Sequence, residues 1–234
     1  MEYINDLLFG LYPYIALVVF VVGSLIRYDR DPYSWKTGSS QMLESKMLRK
    51  GSMPFHVGII AVLAGHFVGL LTPHQVWDFL HITAPMKQVF AMAMGGFFGL
   101  ICFYGLTILI IRRFTNERVK ASSSSMDNLI LVLLYIQLIL GLISIFVSTG
   151  HMDGAEMLKL MSWAQNLVTF QGSDAAAAIA DVHIIFKLHV FLGMSLFFIF
   201  PFSRLVHVWS VPVKYFRRNY QIVRIKNDAN VKKG

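Results

Sequence analysis

Four of the eight histidines in this chain, His56, His66, His189 and His207, stand in long apolar segments, two to a segment. An ionisable ring in such a segment is costly to bury, so it marks either a hydrogen-bonded packing contact or a functional site. Taken singly, each of the four fits either description. As a set they point to one chemistry, because two segments each offering two imidazoles at two levels make two bis-imidazole sites for haem. Two imidazoles fill both axial positions of an iron, which suits electron transfer rather than oxygen chemistry. Zinc or copper would need histidines converging at one level, and these are divided between two.

The elements that must carry the rings follow from composition. The 234 residues are 56% hydrophobic and 15% charged, with a mean hydropathy of +0.58. Soluble domains carry about 25% charged residues, and here the apolar residues come in blocks. A helical span needs about 20 mostly apolar residues, and five segments qualify, at approximately 4–26, 55–71, 89–111, 129–147 and 182–206. The expected fold is all-α and integral to a membrane: one five-helix transmembrane bundle over residues 1–234, with a tail at 207–234. Pro54 and Pro73 read as the limits of the short second span, since proline suits a first helical position and does not continue a helix. The opening carries Glu2 and Asp6 where a signal peptide needs basic residues, so the first span reads as a retained helix.

The formal charge is +8, but the basic residues flank apolar blocks as loop charges do, rather than forming a nucleic-acid patch. Arg27, Arg30, Lys36, Lys46, Arg49 and Lys50 follow the first span, and Arg112, Arg113, Arg118 and Lys120 follow the third. Eight more lie from Arg204 onward. In a five-span chain all three groups fall on one side. The positive-inside rule then puts the amino terminus outside and the carboxyl terminus in the cytoplasm. Cys102, the one cysteine, sits in an apolar run and reads as a buried, inert small residue.

Depth pairs the histidines. His56 lies at the cytoplasmic end of its span, with His66 roughly 15 Å farther out at about 1.5 Å per residue. The fifth span runs the other way, so His189 faces the outer level and His207 the inner one. Azimuth agrees on the fifth span, where 18 residues make five turns, while the rings of His56 and His66 leave about 80° apart. One mismatch remains, since a continuous helix would separate His189 from His207 by roughly 27 Å. Tilted haem planes and a bend at Pro201 are the two features that could absorb it. A macrocycle between helices also needs surface free of side chains, and Gly58, Gly65, Gly69 and Gly193 lie within four residues of a candidate ligand.

The connections read more plainly. Residues 121–125 suggest a flexible connector, residues 155–170 an interfacial helix anchored by Trp163, and residues 172–180 a small-residue linker. Gly95 and Gly99 form a small-xxx-small pair suited to helix packing. His74, His81 and His151 suit exposed or interfacial positions, and His183 is a possible rival to His189. Lys87, alone among Lys and Arg in its loop, is either an interfacial lysine reaching to water or a donor to a quinone oxygen.

Several stretches carry a resemblance: Tyr12-Pro13-Tyr14-Ile15-Ala16, Ser39-Ser40-Gln41-Met42-Leu43, Gly65-His66-Phe67, Leu71-Thr72-Pro73-His74, His151-Met152-Asp153-Gly154, and the run from Phe200 to Pro212. On these the chain resembles, over nearly its whole length, the gamma subunits of membrane-bound respiratory nitrate reductases, which are di-haem cytochromes b. The resemblance implies two haem b groups, the outer held by His66 and His189 and the inner by His56 and His207. It implies oxidation of a quinol, ubiquinol or menaquinol, beside the outer haem, with Lys87, His66 and Gly65 lining that site. It implies an iron–sulfur beta subunit and a molybdenum-containing alpha subunit on the cytoplasmic side of a bacterial inner membrane. Nitrate chemistry would then lie outside this chain. The match needs a one-residue insertion before Lys87, where residues 81–84 depart from the pattern. The nearest alternative is a cytochrome b subunit of another quinone-linked oxidoreductase, of formate dehydrogenase or heterodisulfide-reductase type. A transporter or a plain anchor is a second alternative, but the broken helices and inverted repeats of transporters are not evident in the sequence.

Overall fold

The computed structural model describes residues 2–31, 33, 35 and 43–210. Lys36, residues 39–42 and the tail from residue 211 onward lie outside the described residues. The first span opens with α1 (Glu2–Asn5), passes through a π-helical turn (Asp6–Leu11) and continues as α2 (Tyr12–Arg30). It is followed by α3 (Ser45–Leu71), α4 (His74–Phe79), α5 (Ala84–Thr115), α6 (Glu117–Ala121) and α7 (Ser125–Thr149). The remainder is α8 (Ala155–Val168), α9 (Gly172–Ala178) and α10 (Ile184–Ile199), then two 3-10 turns, Phe200–Phe202 and Arg204–Ser210. No strand occurs among the described residues. Five helices are long and apolar enough to cross a membrane: Tyr3–Arg30, Ser45–Leu71, Ala84–Thr115, Ser125–Thr149 and Ile184–Phe202.

The helices pack in a chain of neighbours, α3 on α5, α5 on α7, α7 on α10 and α10 on α2. Helices α3 and α10, which carry the histidines, share no extended contact. The α3–α5 seam is the tightest. A Cβ at Gly58 would stand 2.6 Å from the Cys102 backbone nitrogen, and one at Gly105 would run into the backbone nitrogen of Phe55. Gly58 therefore serves helix packing rather than a cofactor face, and the fully buried Cys102 lies in the same seam. On the other side of α5, a Cβ at Gly99 would meet Leu142 of α7 at 2.9 Å, whereas Gly95 has only an ordinary neighbour, Ile145, at 3.9 Å.

Several boundaries differ from expectation, each for a local reason. Helix α3 begins ten residues before 55, so Pro54 lies inside it rather than at its start. Polar residues 45–52 hide the extension from a hydropathy reading. Helix α5 begins at Ala84, where the Thr83 side chain accepts from the Met86 amide, and this places Lys87 within the first turn of the helix. The 121–125 stretch runs from the end of α6 into a cap: Ser124 and Asp127 form a reciprocal capping box at the start of α7. The fifth span stops being α-helical at Ile199, since Pro201 cannot donate its share of the ladder.

The loops at the far end are also structured. Residues 172–180 contain α9, packed so close to the π turn that a Cβ at Gly10 would lie 2.9 Å from the Gly172 carbonyl oxygen. Helix α8 buries Met161, Trp163, Ala164 and Leu167. Trp163 is thus an internal pin, not an interfacial anchor, and its indole donates to the Phe9 carbonyl at 3.0 Å.

The opposite end gathers the arginines. Arg112 donates to the Leu43 carbonyl, Arg113 to Ser123, Arg204 to Asp127, and Arg27 to the carbonyls of Pro201 and Ser203. The ends of α2, α5 and α10 and the starts of α3 and α7 therefore meet there. The α3–α5 seam yields a prediction. Gly105→Ala forces a methyl into the Phe55 backbone and should cost about 1–3 kcal/mol by overpacking, while Gly95→Ala should change stability little. Thermal unfolding of the detergent-solubilised protein measures both, and equal behaviour of the two variants would contradict the seam.

Candidate functional site

Both histidine pairs expected from depth come together. The rings of His66 and His189 face each other with centroids 6.0 Å apart and planes 38° apart. Those of His56 and His207 lie 6.3 Å apart at 72°. A metal–imidazole bond is about 2 Å long, so two rings on opposite sides of one metal place their centroids roughly 6 Å apart. Both pairs meet that requirement while their parent helices stay unpacked against each other. The mismatch in spacing disappears because His207 is not on α10. Ten residues of α-helix from His189 to Ile199 match the ten between His56 and His66, and the chain then leaves the axis. The break is at Ser203, whose backbone is extended (φ −114°, ψ 177°).

Three of the four rings are held alike. The Nδ1 of His56 bonds the Ser52 carbonyl at 2.7 Å, that of His66 the Val62 carbonyl at 2.8 Å, and that of His207 the Arg204 carbonyl at 2.6 Å. A carbonyl can only accept, so each Nδ1 carries the proton and each Nε2 is left with a lone pair for a metal. His189 differs. Its Nδ1 is buried without a hydrogen-bond partner. The Gln137 amide of α7 donates to the His189 carbonyl at 3.1 Å and stands 3.4 Å from its Nε2.

One turn along α7, Gly141 leaves room for the ring: a Cβ there would lie 3.1 Å from His189 Cε1. Sequence reading missed Gln137 and Gly141. The available signal was a lone amide in an apolar helix with a glycine four residues on, which shares its face. A Cβ at Gly193 would meet the Gln137 amide nitrogen at 3.2 Å rather than a ring. Gly65 and Gly69 do leave open surface, since a Cβ at either would meet nothing within 4 Å.

Lys87 does not reach for water. It is 7% exposed, and its Nζ donates to the Gly69 carbonyl at 2.8 Å and to Met161 Sδ at 2.7 Å. The same nitrogen lies 4.4 Å above the Trp77 ring. Its backbone acceptor, Gly69, lies three residues beyond His66 on α3. The contributions of Trp77 and Met161 depend on how α4 and α8 fold over this end, which periodicity does not reveal.

The remaining histidines have other roles. His74 pairs with Asp78 at 2.8 Å in an exposed setting. His81 adopts φ 57° beside the Asp78 carbonyl, and the His151 carbonyl accepts from Gln88. His183 caps α10 by accepting from the Ile185 amide, so its ring serves the helix start. The ring opposite His66 belongs to His189.

The nitrate reductase gamma subunit family matches residues 5–226. The chain is 48% identical over 227 residues to the respiratory nitrate reductase 1 gamma chain of Escherichia coli (strain K12), covering 97% of this chain and 100% of that one. Identity to the respiratory nitrate reductase 2 gamma chain of the same organism is 45% over 225 residues, covering 96% and 98%. The nitrate reductase gamma chain of Bacillus subtilis (strain 168) is 35% identical over 220 residues, covering 94% and 98%.

Proposed function

The chain belongs to the nitrate reductase gamma subunit family, and from that premise we propose that it oxidises quinol and carries the electrons across the membrane to a nitrate-reducing partner. The observation that carries this reading is the pair of opposed imidazole couples, at 6.0 and 6.3 Å, on helices that do not otherwise pack. His66 and His189 would hold the outer haem b, and His56 and His207 the inner one. Bound haem supplies the one-electron couple that quinol oxidation requires. The Nδ1 hydrogen bonds of His56, His66 and His207 fix their rings with Nε2 free, so these nitrogens would be the ones to hold a haem iron.

The quinol site lies beside His66, with Gly65 open and Lys87 bonded to the Gly69 carbonyl of the same helix. A lysine ammonium has three donors; two of those of Lys87 are engaged by Gly69 and Met161. To meet a quinol oxygen the third would turn from the Trp77 ring, 4.4 Å from the nitrogen, and would then stabilise the negative charge that develops as protons leave. The arginine-rich end faces the cytoplasm by the positive-inside rule, and the iron–sulfur and molybdenum subunits dock there. The setting is a bacterial inner membrane. Electrons moving inward oppose the membrane potential by about 2.3 kcal/mol per 100 mV, so protons released outside conserve energy. Family membership favours this reading over the formate dehydrogenase or heterodisulfide-reductase type.

Two predictions test the proposal. The first concerns the imidazole couples. Two haems per chain should be extractable by acid–acetone, since no Cys-x-x-Cys-His motif is present to bind either covalently. His56→Ala and His207→Ala should remove the same redox component, and His66→Ala and His189→Ala the other. Redox titration of each variant distinguishes them, and loss of a shared component by His56→Ala and His189→Ala would overturn the pairing. The second concerns Lys87→Ala, which should keep both haem signals but slow their reduction by a quinol analogue. Losing a hydrogen bond from a charged donor costs about 1.5–3 kcal/mol, or roughly tenfold to a hundredfold in rate. Artificial donors that bypass the site should still drive nitrate reduction by the complex, and normal quinol kinetics would defeat the assignment.

A further inference from the structure

The inner imidazole couple has a weakness that the outer one lacks, because His207 stands outside α10. It is carried by the 3-10 turn Arg204–Ser210, beyond the extended break at Ser203. Such turns have poorer hydrogen-bond geometry than an α-helix and rarely run past three or four residues. Their backbone alone gives a ligand little rigidity. Two charged side chains from other helices tie the segment down. Arg27 of α2 donates from Nη1 to the carbonyls of Pro201 at 2.7 Å and Ser203 at 2.8 Å. Asp127 of α7 accepts from Arg204 Nε at 2.7 Å, with both side chains largely shielded. The carbonyl of that same Arg204 accepts the Nδ1–H of His207. Arg204 is thereby held at both ends, by a carboxylate on its side chain and by the imidazole on its backbone.

We propose that Asp127 is a positioning residue for His207, acting through Arg204 to set the inner imidazole against His56. The proposal rests on the two-haem reading given above. Asp127 also has a local duty, since it completes the capping box with Ser124, and the two duties use different atoms. Oδ1 takes Arg204, while Oδ2 takes the Ser124 amide and lies 3.9 Å from Arg113 Nη1, and the Asp127 amide donates to Ser124 Oγ. Ser124→Ala removes the cap's hydroxyl and leaves the ion pair; Arg204→Met removes the ion pair and leaves the cap.

The test is redox-poised optical and electron paramagnetic resonance spectroscopy of the intact complex in membranes, reading the amount and potential of each haem component. Removing a partner that orients a ligand costs about tenfold or more in affinity for the bound group. Asp127→Asn and Arg204→Met should therefore deplete the inner component and move the potential of what remains, with the outer component unchanged in both respects. Asp127→Glu, which keeps the charge, should recover part of the inner component. Ser124→Ala should leave both components as in the wild type. The proposal is overturned if Asp127→Asn leaves the inner component intact while His207→Ala removes it, or if Ser124→Ala reproduces the Asp127→Asn loss. It is also overturned if Asp127→Asn and Arg204→Met deplete both components equally. If His207→Ala itself left both components in place, the haem assignment would fail instead, so the two failures are told apart.

Discussion

The contact between α3 and α5 sets the rest of the arrangement, because there two backbones meet with almost no side chain between them. Gly51, Gly58 and Gly65 recur every seven residues along α3, close to one helix face. The first two are pressed against α5, where added Cβ atoms would stand 3.0 Å from the Gly105 carbonyl and 2.6 Å from Cys102. The third meets nothing within 4 Å. The two helices are therefore joined at the arginine-rich end and part toward the other. Lys87 spans the widening gap to reach the Gly69 carbonyl, and α8 inserts Met161 beside it. The seam thus explains both a rigid platform for His56 and an accessible region beside His66.

Much of this was legible in the sequence, but unevenly. The five spans follow from apolar block length, and the pairing of His66 with His189 and of His56 with His207 follows from depth in antiparallel helices. What periodicity cannot supply is which face of α3 meets α5. Gly58 and Gly65 look equivalent beside a histidine, yet one packs a seam and the other lies open. Hydropathy also ends a helix where polar residues begin, so it does not show the first turns of α3 and α5 and makes Pro54 look like a boundary. Beyond Pro201 the sequence predicts a bend but not its shape, and the shape depends on Arg27 and Asp127, which lie on helices remote in sequence. Gln137 and Trp77 were missed for the same reason, since each acts on a partner in another element.

The two ends of the bundle meet opposite electrostatic demands. At one end Arg27, Arg112, Arg113 and Arg204 find backbone carbonyls, a hydroxyl and the Asp127 carboxylate. This satisfies carbonyls of the non-helical joints at Leu43 and Ser203. It also leaves an excess of positive charge suited to the cytoplasmic side. At the other end the nitrogen of Lys87 is enclosed with neutral partners, and no carboxylate among the described residues forms an ion pair with it. Enclosing a cation with a carbonyl, a thioether and an aromatic face is costly compared with pairing it. A carboxylate beside it would relieve that cost, but would also neutralise the field felt by anything else bound there. An ammonium kept without a counter-charge stabilises negative charge only as that charge develops, which is the requirement for a group facing a quinol as it gives up protons. The separation of a locked, arginine-bound end from a splayed end with one enclosed cation is thus the structural counterpart of the two tasks proposed for the chain. In the proposed function, electrons would leave where the segment is tied down and quinol would enter where the helices part.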